Sequence, residues 1–384
     1  MSFNDFSQYC APTRVVAGRD LLGSTGFEFQ KEGAHRVFVV TDAVVRGTGL
    51  VERVEAGVAD GGLQVAGVFD DVPQDSSTHV VERCAAAAKE AGADSILAVG
   101  GGSVMDTAKA ACALFTHGGA ARDLEGFFLL PREDDGMGRP LPLAPLACIP
   151  TTAGTGSEVS MAAVIKVPEE ELKMEVADYP LFPRLAILDP DSTRTLPAQV
   201  AAATGMDAMT HAIEGYTCSQ TEPLQDARSL QALRLMRANL ERAVEHGADD
   251  DEARGNMLVA ASLAINLNLG SVHAMSHPAG AQFGVPHGVA NAIHLPHVIR
   301  FNAEDPGAAA RYRDLAELLG VEDLASYVEG LRAGLGLPTR LSQVGVPEQG
   351  LAALVEGAMG DGTSLLNPRE MSAEDYTLLY EQAL

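Results

Sequence analysis

Three short, continuously apolar runs, Arg36 to Thr41, Leu63 to Phe69 and Ser95 to Gly100, recur through the first half of the chain with helix-like segments such as His79 to Ala91 between them. A strand covered on both faces reads as an unbroken apolar run. Strands that alternate with helices form parallel sheets, because a parallel crossover needs roughly the length of a helix. Thr13 to Ala17, Leu146 to Pro150 and Leu185 to Asp189 are further candidate strands of this half. From about residue 195 the period changes, and Pro197 to Thr217, Pro223 to His246 and Asp251 to Leu269 carry helical spacing, with shorter helical segments continuing to Leu384. The expected fold class is α/β plus all-α. A parallel-sheet domain spans residues 1–190 and an all-helical domain 191–384, divided near the turn residues Asp189-Pro190-Asp191. At 384 residues the chain is long enough for two such cores.

The sharpest feature of the first half is the end of the Ser95 to Gly100 strand, where Gly100, Gly101, Gly102 and Ser103 lead straight into a helix. Glycines let a backbone approach a pyrophosphate, and the free N–H groups and dipole of a helix N-terminus favour its charge. The spacing is not that of the GxGxxG fingerprint, and a plain strand-to-helix turn is the competing reading, with Asp106 and Lys109 as helix-surface charges. Asp42 follows the Arg36 to Thr41 strand, at the end of a parallel strand where ligands bind. A carboxylate there accepts from a ribose diol and repels a 2′-phosphate, which favours NAD over NADP; a helix N-cap is the alternative. The loop Pro150 to Ser160, with Thr151, Thr152, Thr155 and Ser157, offers hydroxyl and amide donors for a diphosphate or nicotinamide, or is a polar connection.

In the second half, Asp207 and His211 stand four residues apart on a candidate helix and so share a face. His273, His277 and His287 follow within one short run. A carboxylate with several imidazoles suits a first-row divalent metal better than Mg²⁺ or Ca²⁺, which take oxygen shells. His273 and His277, again four apart, are both candidate ligands; a four-ligand set drawn from these groups leaves one imidazole nearby to relay a proton. A structural salt bridge explains Asp207 and His211 equally well at this point. His294 and His297 read as helix or loop histidines.

Composition excludes other classes. With 27 Lys and Arg against 52 Asp and Glu the formal net charge is −25, which opposes attraction to nucleic acid or anionic membranes. Acidic runs at Glu169 to Glu171 and Asp249 to Glu252 read as solvated surface, and adaptation to a salty cytoplasm is one account of the acidic excess. Five cysteines without CxxC spacing indicate reduced, mostly buried thiols. The first ten residues carry no signal-peptide pattern and no apolar stretch reaches transmembrane length, so a cytoplasmic location is expected.

Taken together, GGGSVMDTAKA, PTTAGTGSE, GMDAMTHAIEGY and HAMSHPAG with PHGVANAIHLPHV resemble the iron-containing (group III) alcohol dehydrogenase family over nearly the whole chain. The resemblance implies a Rossmann-like nucleotide domain followed by a helical metal domain, a dehydroquinate synthase-like fold with NAD and one divalent metal in the cleft between the two. It assigns Asp207, His211, His273 and His287 as ligands and places His277 beside the substrate outside the ligand set. Asp42 selects NAD, Gly100 to Ser103 and Asp106 belong to the cofactor site, and Thr151, Thr152, Thr155 and Ser157 lie along the diphosphate and nicotinamide. Fe²⁺ is implied, with Zn²⁺ or another divalent ion compatible with the ligand types. The implied activity is reversible hydride transfer between a small primary alcohol or diol and NAD by a homodimer. Two departures stand out, Ala279 where the family often has Leu and Ala264 where it usually has Phe, the latter expected to open the substrate pocket. Alternatives are a dehydroquinate synthase-like or glycerol dehydrogenase-like enzyme, or a non-catalytic NAD or metal sensor.

Overall fold

A computed structural model describes residues 9–127, 142–170, 172–266 and 268–384. Most of the N-terminal run Met1 to Cys10 and the acidic Glu171 therefore lie outside the described residues. The described residues divide into two compact units, one within 11–152 and 156–196, the other within 9–10, 153–155 and 197–384.

The first unit holds strands β1 (Arg14–Ala17), β2 (Arg36–Val40), β3 (Gln64–Phe69), β4 (Ser95–Gly100), β5 (Gly126–Phe127), β6 (Leu146–Pro150), β7 (Ala162–Val167), β8 (Leu172–Ala177) and β9 (Leu185–Leu188), of which β1, β2, β3, β4, β6 and β9 are the expected apolar runs. Six of them form one sheet in the order β1-β9-β6-β4-β2-β3, every pair parallel. Side chains alternate across a strand, and each face has its own core. Phe38, Val40, Ile96, Ala98, Leu146 and Cys148 enter one cluster; Val37, Val39, Leu97, Val99, Ala147 and Ile149 enter the other. Burial on both faces is why these runs show no polar alternation. Each fully buried Ile or Leu contributes about 1.5–3 kcal/mol.

The strand order reverses between β2 and β4. The chain leaves β2 for β3 on one side and leaves β4 for β6 on the other. The carboxyl ends flanking such a reversal are where open α/β sheets take up ligands, and they carry Thr41-Asp42 and Gly100-Gly101.

A second, three-stranded sheet in the order β5-β8-β7 contains an antiparallel hairpin of β7 and β8 that the sequence reading does not anticipate. Its mixed burial and short connection hid the period. Glu169 and Glu170 are exposed in that connection, as expected of the acidic run.

The helices that matter for function are α1 (Gly102–His117), in the first unit, and α2 (Ala198–Thr217), α3 (Pro223–Glu245), α4 (Asp251–Ala264), α5 (Ser271–Phe283) and α6 (His287–Asn302) in the second. From Gly205 to Thr217 every residue of α2 is buried. Small residues make this possible: a Cβ on Gly205 would lie 2.2 Å from the Leu240 side chain of α3. Helix α4 ends at Ala264, short of the expected Leu269; Leu267 lies outside the described residues. The cause is local. Asn266 Nδ2 donates to the carbonyls of Ala264 and His211, and Asn competes in this way with helical backbone pairing.

Candidate metal centre and nucleotide cradle

Three helices build the second unit's polar centre. Helix α2 places Asp207, His211 and Glu214 on one face; α5 brings His273 and His277; α6 brings His287 and Asn291, four apart on its first turns. Helix α6 approaches very closely. A Cβ on Gly288 would lie 2.2 Å from the Ala203 carbonyl oxygen and 3.3 Å from Asp207 Cβ, so glycine is what lets His287 reach Asp207.

Ligand atoms of Asp207, His211 and His273 lie within 4.8 Å of one another. His287 Nε2 is 3.5 Å from Asp207 Oδ1, and His211 Nε2 is 3.9 Å from the same oxygen. The rings converge too, with centroids 4.5 Å apart for His211 and His273 and 5.2 Å for His273 and His287.

Groups around these side chains fix their orientation. Glu214 Oε2 lies 2.5 Å from His273 Nδ1, and its Oε1 accepts from Val272 N at 2.7 Å. One carboxylate thus caps the first turn of α5, whose own N-cap is Gly270, and leaves His273 Nε2 as the atom with a free lone pair. Asn291, fully buried, donates from Nδ2 to Asp207 Oδ1 at 2.7 Å. His277 Nδ1 lies 2.7 Å from Asp361 Oδ2, and its ring stacks on His287 at 5.4 Å between centroids. Asp361 is held by the Thr363 N–H and hydroxyl.

Burial governs the electrostatics of the site. Burial pushes the Asp207 and Glu214 carboxyls up to about 7 and drives His273 down to about 3, with His211 well below its ordinary range. Buried charge without a counter-charge is costly; a divalent cation reverses the balance by favouring ionised Asp207 and unprotonated imidazoles. An oxygen and three imidazole nitrogens, with the Glu214 carboxylate behind the His273 ring, fit a first-row divalent ion. At Asp361, burial alone would raise the carboxyl, but the His277 imidazole and the Thr363 donors hold it at about 2.

In the first unit, Gly101 caps α1, and the Val104 and Met105 N–H groups both donate to its carbonyl. Gly100 is required by close packing, since a Cβ there would fall 2.5 Å from Val104. Thr151 N donates to the Gly100 carbonyl at 3.0 Å, and the Thr152 side chain lies against Gly101. Ser103 Oγ accepts from Asp75 N at 3.2 Å. Asp42 is the N-cap of the short helix Ala43–Gly47, its Oδ1 accepting from Val44 N and Val45 N. The cap and a ribose contact are compatible, because both backbone bonds fall on one oxygen.

The surface-charge reading of Lys109 is overturned. Its ammonium is fully buried and donates to Ser157 Oγ, Ser160 Oγ and the Ala162 carbonyl. Ser157 in turn donates to Asp106 Oδ1 at 2.6 Å, and Asp106 Oδ2 accepts from Val164 N. Thr155 groups with the second unit rather than with Ser157.

Three residues escaped the sequence reading: Glu214, Asn291 and Asp361. The first two had a signal, since Glu214 lies three residues after His211 and Asn291 four after His287. Asp361 is remote in sequence and had none. His294 stays apart from the cluster, buried edge-on against Tyr380 at 5.3 Å. Ala264, the last residue of α4, is fully buried.

Residues 12–190 match the family model for iron-containing alcohol dehydrogenase, and residues 201–384 match the model for the C-terminal part of that family. The chain is 38% identical to a 4-hydroxybutyrate dehydrogenase of Cupriavidus necator, over 93% of this chain and 94% of the relative. It is 35% identical to the lactaldehyde reductase of Escherichia coli, over 95% and 96%. A crystal structure of 1,3-propanediol oxidoreductase superposes with a TM-score of 0.90 at 33% identity, covering 98% of this chain and 99% of that one. The chain belongs to the iron-containing alcohol dehydrogenase family.

Proposed function

We propose that this protein catalyses reversible hydride transfer between a small primary alcohol or diol and NAD, with a divalent ion, iron first, held by Asp207, His211, His273 and His287. The observation that carries this reading is the convergence of Asp207, His211 and His273 within 4.8 Å, backed by Glu214 on His273. When bound, the ion supplies Lewis acidity to the alcohol or carbonyl oxygen and the nicotinamide accepts or returns the hydride.

The chain's own residues do the rest. Glu214 holds the His273 ring, and Asn291 holds the Asp207 carboxylate. Asp361 fixes Nδ1 of His277, which leaves His277 Nε2 to pass a proton between substrate and water. Gly100 to Ser103 and the start of α1 take the pyrophosphate, and Asp42 takes the ribose diol, at the sheet's reversal point. Alignment of two reactants accounts for a large part of the rate enhancement in such a bimolecular reaction.

A lyase acting on a phosphorylated, carboxylated substrate would need uncommitted cations. Arg228 is bonded to the Ser262 carbonyl, Arg242 to Asp250 and Arg254 to Asp251. Among the described residues no helix is long and apolar enough to cross a membrane. We further propose a cytoplasmic enzyme that works as a homodimer, and light scattering tests the assembly.

The deciding experiment is an anaerobic screen of metal-replete protein, following NADH, over short alcohols, diols and their aldehydes. Turnover with primary alcohols is expected. No change with any substrate would leave a sensor as the better reading.

A further inference from the structure

The carboxamide of Asn291 lies within reach of three of the four proposed ligands. Its Nδ2 is 2.7 Å from Asp207 Oδ1, 3.1 Å from His287 Nε2 and 3.4 Å from His273 Nε2. The residue is fully buried on α6, one turn after His287. An amide nitrogen has two hydrogens and no lone pair to offer, so the two nearest atoms, Asp207 Oδ1 and His287 Nε2, accept from it, and His273 Nε2 at 3.4 Å lies at the outer limit of reach. For His273 this agrees with an independent contact, because Glu214 engages Nδ1 and leaves Nε2 as the acceptor. Asp207 and both Nε2 atoms are the very atoms a cation would take.

We infer that Asn291 is a positioning residue of the metal centre: as a neutral donor it keeps Asp207 Oδ1 and the Nε2 atoms of His287 and His273 turned towards one side of the cluster, available as ligands. A lysine or arginine there would compete with the ion by charge, and a carboxylate would repel Asp207. A carboxamide does neither. It gathers the acceptors without neutralising them.

This inference rests on the metal reading above, and the test separates the two. Zn²⁺ affinity is measured on the full-length protein by chelator competition, with NADH binding followed by nucleotide fluorescence and Co²⁺ absorption recorded as a probe of ligand geometry. Asn291→Leu, close in size but without a donor, is expected to weaken Zn²⁺ about 10–100-fold, the range for loss of a group that orients metal ligands, and to leave NADH affinity unchanged. Asn291→Ser, which retains a donor, should lie between Leu and the native protein. If the native protein binds no metal, the functional reading fails and this one with it. If the native protein binds metal and the Leu variant binds it equally well, only the role of Asn291 is overturned. A parallel loss of Zn²⁺ and NADH affinity in the Leu variant would mark general misfolding, and the Ser variant then decides. Should the Leu variant not fold, the Ser variant decides: native Zn²⁺ affinity with an unaltered Co²⁺ spectrum refutes the inference, and a weakened affinity or shifted spectrum supports it.

Discussion

Glu214 Oε2 lies 2.5 Å from Nδ1 of His273 while Oε1 of the same carboxylate accepts the Val272 N–H at 2.7 Å. One buried acid therefore sets both the start of helix α5 and the ring orientation of a proposed ligand on that helix. Glu214→Gln retains an oxygen for Val272 but removes the negative charge behind the imidazole. Metal affinity is expected to fall about 10–100-fold, read by chelator competition, while the metal-free protein melts near the native temperature. Unchanged affinity would show that the carboxylate matters for the helix alone.

His277 and Asp361 act on the proton. His277→Ala should lower turnover about 10²–10⁴-fold with metal content, measured by elemental analysis, at the native level. Asp361→Asn, which can no longer take the Nδ1 proton as a charged acceptor, should lower turnover by less. Loss of metal from the His277 variant would make this residue a ligand and end its assignment as a relay.

Asp42 combines a helix cap with a proposed cofactor contact, and two variants separate them. Asp42→Ala should cost about 1 kcal/mol of stability through loss of the cap and raise the NADPH-to-NADH ratio of kcat/KM. Asp42→Asn keeps a capping oxygen, so it should shift the cofactor ratio with little change in melting temperature. A ratio unmoved in both variants would confine Asp42 to capping.

Metal removal tests the cation directly. Ligands that bind only the folded state stabilise it in proportion to the logarithm of their concentration over Kd, so chelation should abolish turnover and lower Tm. Fe²⁺ restored without oxygen should recover activity best. Stoichiometric zinc with no gain on iron addition would remove iron as the working metal.

The thiols give a prediction independent of catalysis. Burial pushes Cys84 and Cys112 up to about 12 and Cys218 up to about 11, whereas Cys10 is exposed. Thiolate, the reactive form, grows with pH towards the pKa, so near pH 8 the buried thiols stay protonated and shielded. One cysteine, Cys10, should react with iodoacetamide in native protein, and all five in denaturant, counted by mass spectrometry. Native labelling of Cys84 or Cys112 would contradict their burial.

What the sequence alone determined were the features with a short period. Unbroken apolar runs gave the parallel strands, because a strand buried on both faces has no polar side to show. Four-residue spacing gave the shared helical face of Asp207 and His211, and the glycine run marked the strand-to-helix turn. Features set by packing between distant segments were decided only in three dimensions. Gly288 carries no local sign that α6 must come within contact of Ala203, yet that approach delivers His287 to Asp207. Lys109 has the spacing of a surface charge, and only the folding of Ser157, Ser160 and Ala162 around it makes it a buried, fully bonded ammonium. Asp361 meets His277 across more than eighty residues. Periodicity reports which way a side chain faces along its own element; it holds no information about which other element will face it, and the groups that orient the ligands come from those other elements.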